Sequence, residues 1–277
     1  MKSKQSFRLL ILLVFGMTVM AFTPQKSIQL RYNFNQGEKY KLEIKTTQNI
    51  SMSVGGQTMV MKQNIILNQT SEILSGSNDE NIELEFSYDR VRFDQSGLGM
   101  EIKWDSDQPE SAQDNMMVQQ IAAQFKKSLA EKVNSTIDKF GNPIQSTSSG
   151  GMGNTNVSGV EMGMLVVFPE HNISVGQSWD VSTKPDPGSD FTINSTYTLT
   201  SVKGSKAFIS YEGTLSGTEM DGEKAKLSGT ISGKAEVNTK TGWLESATTM
   251  QNMEMEMEQQ GQVIPMSLNS VIELKSK

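Results

Sequence analysis

Between Lys39 and Val54 apolar or bulky residues alternate with polar ones at a period of two. The even positions are Tyr40, Leu42, Ile44, Thr46, Gln48, Ile50, Met52 and Val54, and every odd position between them is polar. Such alternation predicts a half-buried β-strand, because successive side chains of a strand point to opposite faces of its sheet. Gly55-Gly56 follows, a pair free to adopt the positive φ values of a two-residue hairpin turn. Pairing across that turn places Met52 opposite Met59, Ile50 opposite Met61, Thr46 opposite Ile65 and Ile44 opposite Leu67, all on one face. A slip of one residue would bring Val60 and Ile66 there instead and break the match.

The C-terminal end repeats the design. Met253, Met255 and Met257 alternate with Glu254, Glu256 and Glu258. A Gln260-Gly261 turn then sets Met257 opposite Ile264, Met255 opposite Met266 and Met253 opposite Leu268. Pro265 falls on the other face, at an edge strand or a site where no amide hydrogen is needed. Further strands are expected where Ile82, Leu84, Phe86 and Tyr88 alternate. A change of phase near Asp89-Arg90, before Val91 and Phe93, points to a bulge or a bend. Weaker alternation, rich in Ser, Thr and Gly, predicts strands over 191–202, 206–217 and 224–238, with turns at Lys203-Gly204 and Asp221-Gly222.

One helix is expected over 112–129. Ser111 and Asp114 resemble a capping box, and Met117, Ile121, Phe125 and Leu129 recur every four residues, with Val118 and Ala122 beside them and Gln119, Gln120, Lys126 and Lys127 on the other side. Residues 145–158 have loop composition, and the apolar run from Met162 to Phe168, ended by Pro169, is ambiguous. Short echoes suggest two related halves, 22–147 and 159–277. Phe34 to Tyr40 resembles Ile173 to Trp179, and Ile137-Asp138 before Gly141 resembles Val237-Asn238 before Gly242. The expected fold is mainly β: a strongly curved antiparallel sheet or half-barrel of long hairpins, with the helix packed on it as part of a single domain over 22–277.

At the N-terminus Lys2, Lys4 and Arg8 precede an uncharged apolar stretch ending near Val19-Met20-Ala21. This has the three parts of a secretory signal, so residues 1–21 are expected to be removed and the protein to be periplasmic or secreted. The apolar stretch is shorter than the roughly 20 residues of a membrane span, and the chain is not expected to be an integral membrane protein. With no cysteine, neither a lipid-modified N-terminal cysteine nor a disulfide is available, so burial of a core must hold the fold. The net charge of −6 argues against nucleic acid as a partner.

Residues suited to catalysis are scarce. Thiol nucleophiles and zinc–thiolate sites need cysteine. The single histidine, His171, has no Gly-x-Ser-x-Gly elbow to serve. Asp105 and Asp107 could act as a carboxylate pair on a glycoside, but the aromatic platforms of sugar sites are sparse at 7% aromatic residues. Glu254, Glu256 and Glu258 read more simply as the solvated face of a strand. The expectation is therefore a protein that is not an enzyme and carries no cofactor.

Methionine is the unusual component, 18 in 277 residues, clustered as Met59-x-Met61, Met162-x-Met164 and Met253-x-Met255-x-Met257. Thioether arrays can hold Cu(I), yet several cross-strand partners here are Ile and Leu, which are not ligands. Methionine also makes an adaptable apolar surface that moulds to variable ligands. A 15-residue strand spans roughly 50 Å and a five-turn helix only about 28 Å, so one helix cannot cover both hairpins. The rest of the face must meet another sheet, a ligand or a partner. The leading expectation is a site for a hydrophobic or amphiphilic ligand such as a lipid or acyl chain. Met52, Met59, Met61, Met253, Met255, Met257 and Met266 would form its wall, and Met117, Ile121 and Phe125 its lid. The alternative is a structural or protein-interaction module of the cell envelope, with a protein partner and no small ligand.

Gly37-Glu38-Lys39-Tyr40, Asp138-Lys139-Phe140-Gly141 and Phe168-Pro169 followed by Val175-Gly176-Gln177-Ser178-Trp179 resemble motifs of a family of uncharacterised exported β-rich proteins of Bacteroidetes-type bacteria. The family is a domain of unknown function, so the resemblance implies export and a β fold but no activity. In pattern alone, long curved hairpins with a lid helix are similar to Lol-type lipoprotein carriers, half-barrels that hold acyl chains on a concave face.

Overall fold

The computed structural model describes residues 27–76, 79, 81–108, 116–146, 165–184, 190–220, 223–259 and 262–277. Residues 1–21, the start of the expected helix at 112–115, Met162-x-Met164 and the turns at Asp221-Gly222 and Gln260-Gly261 lie outside these. So does the expected loop from residue 147 onward. Twelve strands and one helix follow in order. They are β1 (Lys39–Val54), β2 (Gln57–Ser75), β3 (Ile82–Gly97), β4 (Met100–Asp105), α1 (Met116–Ala130), β5 (Lys132–Ile137) and β6 (Pro143–Ser146). Then come β7 (Ser178–Thr183), β8 (Thr192–Lys203), β9 (Lys206–Met220), β10 (Glu223–Asn238), β11 (Leu244–Gln259) and β12 (Gln262–Ser276). All strands join one antiparallel sheet in the order β6-β5-β3-β2-β1-β12-β11-β10-β9-β8-β7, with β4 also on β3, and the sheet does not close into a barrel.

Both anticipated hairpin registers are present. Met52 faces Met59 and Ile44 faces Leu67 across β1–β2, with Gly55 and Gly56 at φ 59° and 80°. Met257 faces Ile264 and Met253 faces Leu268 across β11–β12. The phase change in β3 is a bulge: Asn68 pairs with Arg90 but Gln69 with Tyr88, so Asp89 is the extra residue. The strand carrying Pro265 is not at an edge, since β12 lies between β1 and β11. Instead, β1–β12 pairing ends at Met52–Met266, one position short of the proline. A residue without an amide hydrogen is tolerated where the ladder stops.

The chain ends meet in mid-sheet, where β1 pairs with β12, and a wing extends to each side. At one end of the sheet the segment 28–36, outside the sheet, straps the wings together. Leu30, Tyr32 and Phe34 alternate inward and are almost wholly buried. The Tyr32 amide donates to Lys139 O (2.8 Å), in the β5–β6 turn, and the Asn33 amide to Thr241 O (3.0 Å), in the β10–β11 turn. These are the two turns that echo one another in sequence. Burial pushes the Tyr32 phenol well above its ordinary pKa, so it stays neutral and donates to Val166 O at 3.0 Å.

The other echo is structural as well. Gly37 donates to Ile73 O and Gly176 to Leu199 O, at 2.8 and 2.7 Å. Asn35 N binds the Glu38 carboxylate and Ser174 N the Gln177 amide oxygen, so β1–β2 and β7–β8 begin with the same turn. Residues 165–173 complete the closure, with the Phe168 amide bonded to Phe140 O and Ile28 bridged to Ile173. The 165–168 portion of the ambiguous apolar run is thus neither helix nor strand but a buried connection.

The helix forms over Met116–Ala130 within the described residues, but its buried face is Val118, Ala122, Phe125 and Ser128. Phe125 belongs to the expected stripe, and Val118 and Ala122 to the residues expected beside it; the centre of the buried face is shifted towards those two, away from Met117. Met117 is 39% exposed, while Ile121 and Leu129 are only partly buried. Phe125 fixes the rotation by stacking on Trp104 (5.6 Å between ring centroids) and meeting Phe93 (5.5 Å).

Gly141 has φ +89°, and a Cβ there would lie 2.7 Å from the Tyr32 ring. Gly141→Val should destabilise the fold by about 2 kcal/mol or more and lower Tm by several degrees. Gly55→Ala, which meets nothing within 4 Å, should cost about half as much. Thermal unfolding of both variants checks the strap.

Candidate functional site

One face of the sheet, the inner one, carries the core at the strapped end. Leu42, Ile44, Leu67, Val91, Ala247 and Leu274 are buried there. Followed along the strands, the same face passes into a different territory. Register aligns its side chains into rows that cross the strands. One row is Met59, Met52, Met266, Met255 and Leu227, on β2, β1, β12, β11 and β10 in turn. The next row inward is Met61, Ile50, Leu268, Met253 and Gly229. The six methionines of these rows are neither immersed in water nor packed away; each is partly exposed. Five strands about 4.8 Å apart make the trough between the rows roughly 19 Å long.

Between this territory and the core lies a polar rung: Gln95, Gln63, Gln48, Ser270 and Gln251, again one residue per strand from β3 to β11. The Gln48 amide donates to Gln63 Oε1, and Gln63 Nε2 donates to Gln95 Oε1 at 2.6 Å. Ser270 Oγ donates to Gln251 Oε1 at 3.4 Å. Gln63 and Ser270 are buried, as are the polar Gln69 and Ser71 further along β2 on the same face. On β9 and β10 the inner face is partly bare backbone, at Gly213, Gly217, Gly229 and Gly233. A Cβ on Gly233 would meet the Tyr211 ring at 2.5 Å, so the glycine lets the ring lie flat. Neither the rung nor the glycines were singled out in the sequence. Gln48 opposite Gln63 follows from the first hairpin, but Gln95 and Gln251 need the registers of β3 and β12.

The expected wall residues Met52, Met59, Met61, Met253, Met255 and Met266 therefore do converge on one face. Met257 holds its register position opposite Ile264, but its side chain lies outside the described residues. The expected lid does not join them. Helix α1 packs on β3 and β4, so Ile121 and Phe125 serve the first wing's core and Met117 faces outward. A shallow hollow of about 360 Å³ does sit at this end of the sheet. It opens mainly on the opposite, polar face, among Ser51, Ser53, Lys226, Glu254, Glu256 and Pro265. The four methionines of the outermost row are strung across three strand gaps, about 14 Å, an arrangement of neighbouring pairs rather than of thioethers gathered round one ion.

The other candidate chemistry is engaged elsewhere. Arg90 holds Asp105 at 2.5 and 3.1 Å and Asp107 at 3.0 Å. That guanidinium keeps the Asp105 carboxyl below the usual aspartate range, the reverse of what a general acid requires. His171 is exposed in a loop, and Glu254 and Glu256 lie on the solvated face. Among the described residues no three His, Cys, Asp or Glu side chains gather as a metal site, and no helix is long and apolar enough to cross a membrane.

Residues 149–244 match a family described only as being of unknown function (DUF6263). A search of curated proteins returned no match. Among solved structures, lipovitellin, in a study of its lipid–protein interactions, matches with TM-score 0.52 and 9% identity, over 88% of this chain and 25% of that chain. The chain thus spans about a quarter of lipovitellin's length, and at this identity the likeness is one of fold. The translocator domain of the autotransporter NalP from Neisseria meningitidis aligns at TM-score 0.23 and 8% identity, over 87% and 89% of the two chains, too loosely to carry an argument.

The Arg90–Asp105 pair yields a pH test. Because the folded-state pKa of Asp105 is lowered, the pair stabilises the protein above the ordinary aspartate value, near 4, and that share is lost as pH falls through the folded-state value. Asp105→Asn should have a lower Tm than the parent at pH 7, and the gap should narrow at about pH 3 and below. Thermal unfolding across that range measures it.

Proposed function

We propose that this protein binds a hydrophobic or amphiphilic ligand, a lipid or acyl chain, against the methionine-lined part of its inner sheet face. The observation that carries the reading is the half-exposed state of Met52, Met59, Met61, Met253, Met255 and Met266 on the same face that forms the core a few residues away. The principal contacts of β1, β2, β11 and β12 are with in-plane neighbours, so among the described elements none is layered over these rows. Covering the remaining exposed area would contribute on the order of 1 kcal/mol per methionine, besides what burial of the ligand's own apolar surface adds. Methionine suits such a surface, since its unbranched thioether adapts to chains of different shape. The shared fold with lipovitellin, whose structure concerns lipid–protein interactions, supports the same class of ligand.

On this reading the protein is a carrier or receptor, not an enzyme, and acts outside the cytoplasm after loss of residues 1–21. A cell-envelope protein seated on the same rows is the competing occupant.

Organic extraction and mass spectrometry of the purified protein should release lipid, and a fluorescent acyl-chain probe should bind. The double variant Met52→Asn, Met255→Asn should weaken the probe about tenfold or more at nearly unchanged Tm, because both positions are only partly buried. Protein that is lipid-free as purified and also indifferent to every apolar probe would overturn the reading.

A further inference from the structure

The inner face has a second property that the apolar rows alone do not require: it is uncharged. From β3 to β11 its rows contain Phe93, Ile65, Thr46, Ile272 and Thr249, then the glutamine rung, then the two methionine rows, and none of these residues ionises. On β8 to β10 the same face shows Ile193, Ser195, Tyr197, Leu199, Ile209, Tyr211, Leu215, Leu227, Ile231 and Ala235. The charged side chains of these strands point the other way. Lys45 pairs with Glu273 and Lys39 with Glu72 on the outer face, where Glu254, Glu256 and Lys226 also lie. Among the described side chains of the strands, the inner face therefore offers no cation to a carboxylate or phosphate. An ionised group brought into it would lose its hydration without gaining a partner, at a cost of several kcal/mol.

What the face does offer is amide and hydroxyl chemistry. The hydrogen bonds of Gln48, Gln63 and Gln95 run one way across three strands, so the Gln48 carbonyl ends the series as an acceptor and the Gln95 amide as a donor. Ser270 and Gln251 continue the rung beyond β1. Successive rows are about 6.6 Å apart, which brings the rung within reach of a polar group on a ligand lying along the trough. The trough is roughly 19 Å long, against about 15 Å for one leaflet's share of a bilayer's hydrocarbon core, so it accommodates the chain of a membrane lipid.

We infer that the ligand is a neutral amphiphile, a glycerolipid or comparable ester, whose chain lies across the strands on the methionine rows while its uncharged ester or hydroxyl groups hydrogen-bond to the glutamine rung. This rests on the binding reading above and narrows it to lipids without a charged head on the buried side. A ligand of pure hydrocarbon would leave the rung idle, and an anionic lipid would have to keep its head away from it.

The test compares four probes on the intact mature protein: dioleoylglycerol, dioleoyl phosphatidylglycerol, oleate and squalene. Each is measured by displacement of one fluorescent acyl probe. Dioleoylglycerol should bind about tenfold or more tightly than each of the other three, the loss of roughly one satisfied polar contact or the burden of one unpaired charge. The triple variant Gln48→Leu, Gln63→Leu, Gln95→Leu, which replaces donors and acceptors together, should erase the advantage over squalene while squalene still binds. Should that variant fail to fold, Gln95→Leu alone should reduce the same advantage. Phosphatidylglycerol or oleate binding as tightly as dioleoylglycerol would overturn the inference and leave the broader reading standing. Equal binding of squalene and dioleoylglycerol would do the same. If no probe binds at all, both fall together.

Discussion

The pairing of β1 with β12 is the constraint on which the rest depends. It joins residues 42–52 to residues 266–276 and makes one sheet of two wings. Because strand side chains alternate, a shift of one residue in this ladder would send one hairpin's methionines to the outer face. With the observed register, Met52 lies between Met59 and Met266, and Gln48 lies between Gln63 and Ser270. The rows and the rung both exist only because three registers agree. Pro265 then ends the β1–β12 ladder, so beyond Met266 the two hairpin tips are no longer held to each other.

The two ends of the sheet are built for different purposes. At one end the strap from Ile28 to Gln36 binds a turn from each wing, and Tyr32 and Phe34 fill the space between them with aromatic contacts to Phe168, Tyr40 and Trp243. Both turns carry a glycine with positive φ, Gly141 and Gly242, where a Cβ would strike the strap. The repeated turns at Gly37 and Gly176 start each wing in the same way. This end is where hydrogen bonds and buried rings hold the curved sheet in place. At the other end the contacts among the described strands are in-plane, and the methionine rows are partly exposed.

Charge is sorted with the same geometry. The outer face carries Lys and Glu in cross-strand pairs at the surface, which contribute little to stability. Among the described strand side chains the inner face is uncharged and changes from aromatic and aliphatic, through amide, to thioether. The Arg90 pair with Asp105 and Asp107 lies beside the β3 bulge and ties β4 to β3 rather than serving a reaction.

The sequence by itself determined both hairpins, with register correct to the residue, because a two-residue turn and a period-two pattern are local and fix each other. It also determined the change of phase at Asp89, the extended class of the fold and the side of the strands on which the methionines lie. The helix and most of its buried face were legible, Phe125 with Val118 and Ala122, but not the exposure of Met117, which depends on how Phe125 seats against Phe93 and Trp104. The tertiary structure alone decided that β1 pairs with β12, since that ladder joins residues more than two hundred apart and no turn chemistry specifies it. It decided the full glutamine rung for the same reason: Gln48 and Gln63 face each other across the first hairpin, but Gln95 and Gln251 join them only through the β2–β3 and β1–β12 ladders. Local pattern tells which face a side chain takes; the long-range pairings tell which side chains share it.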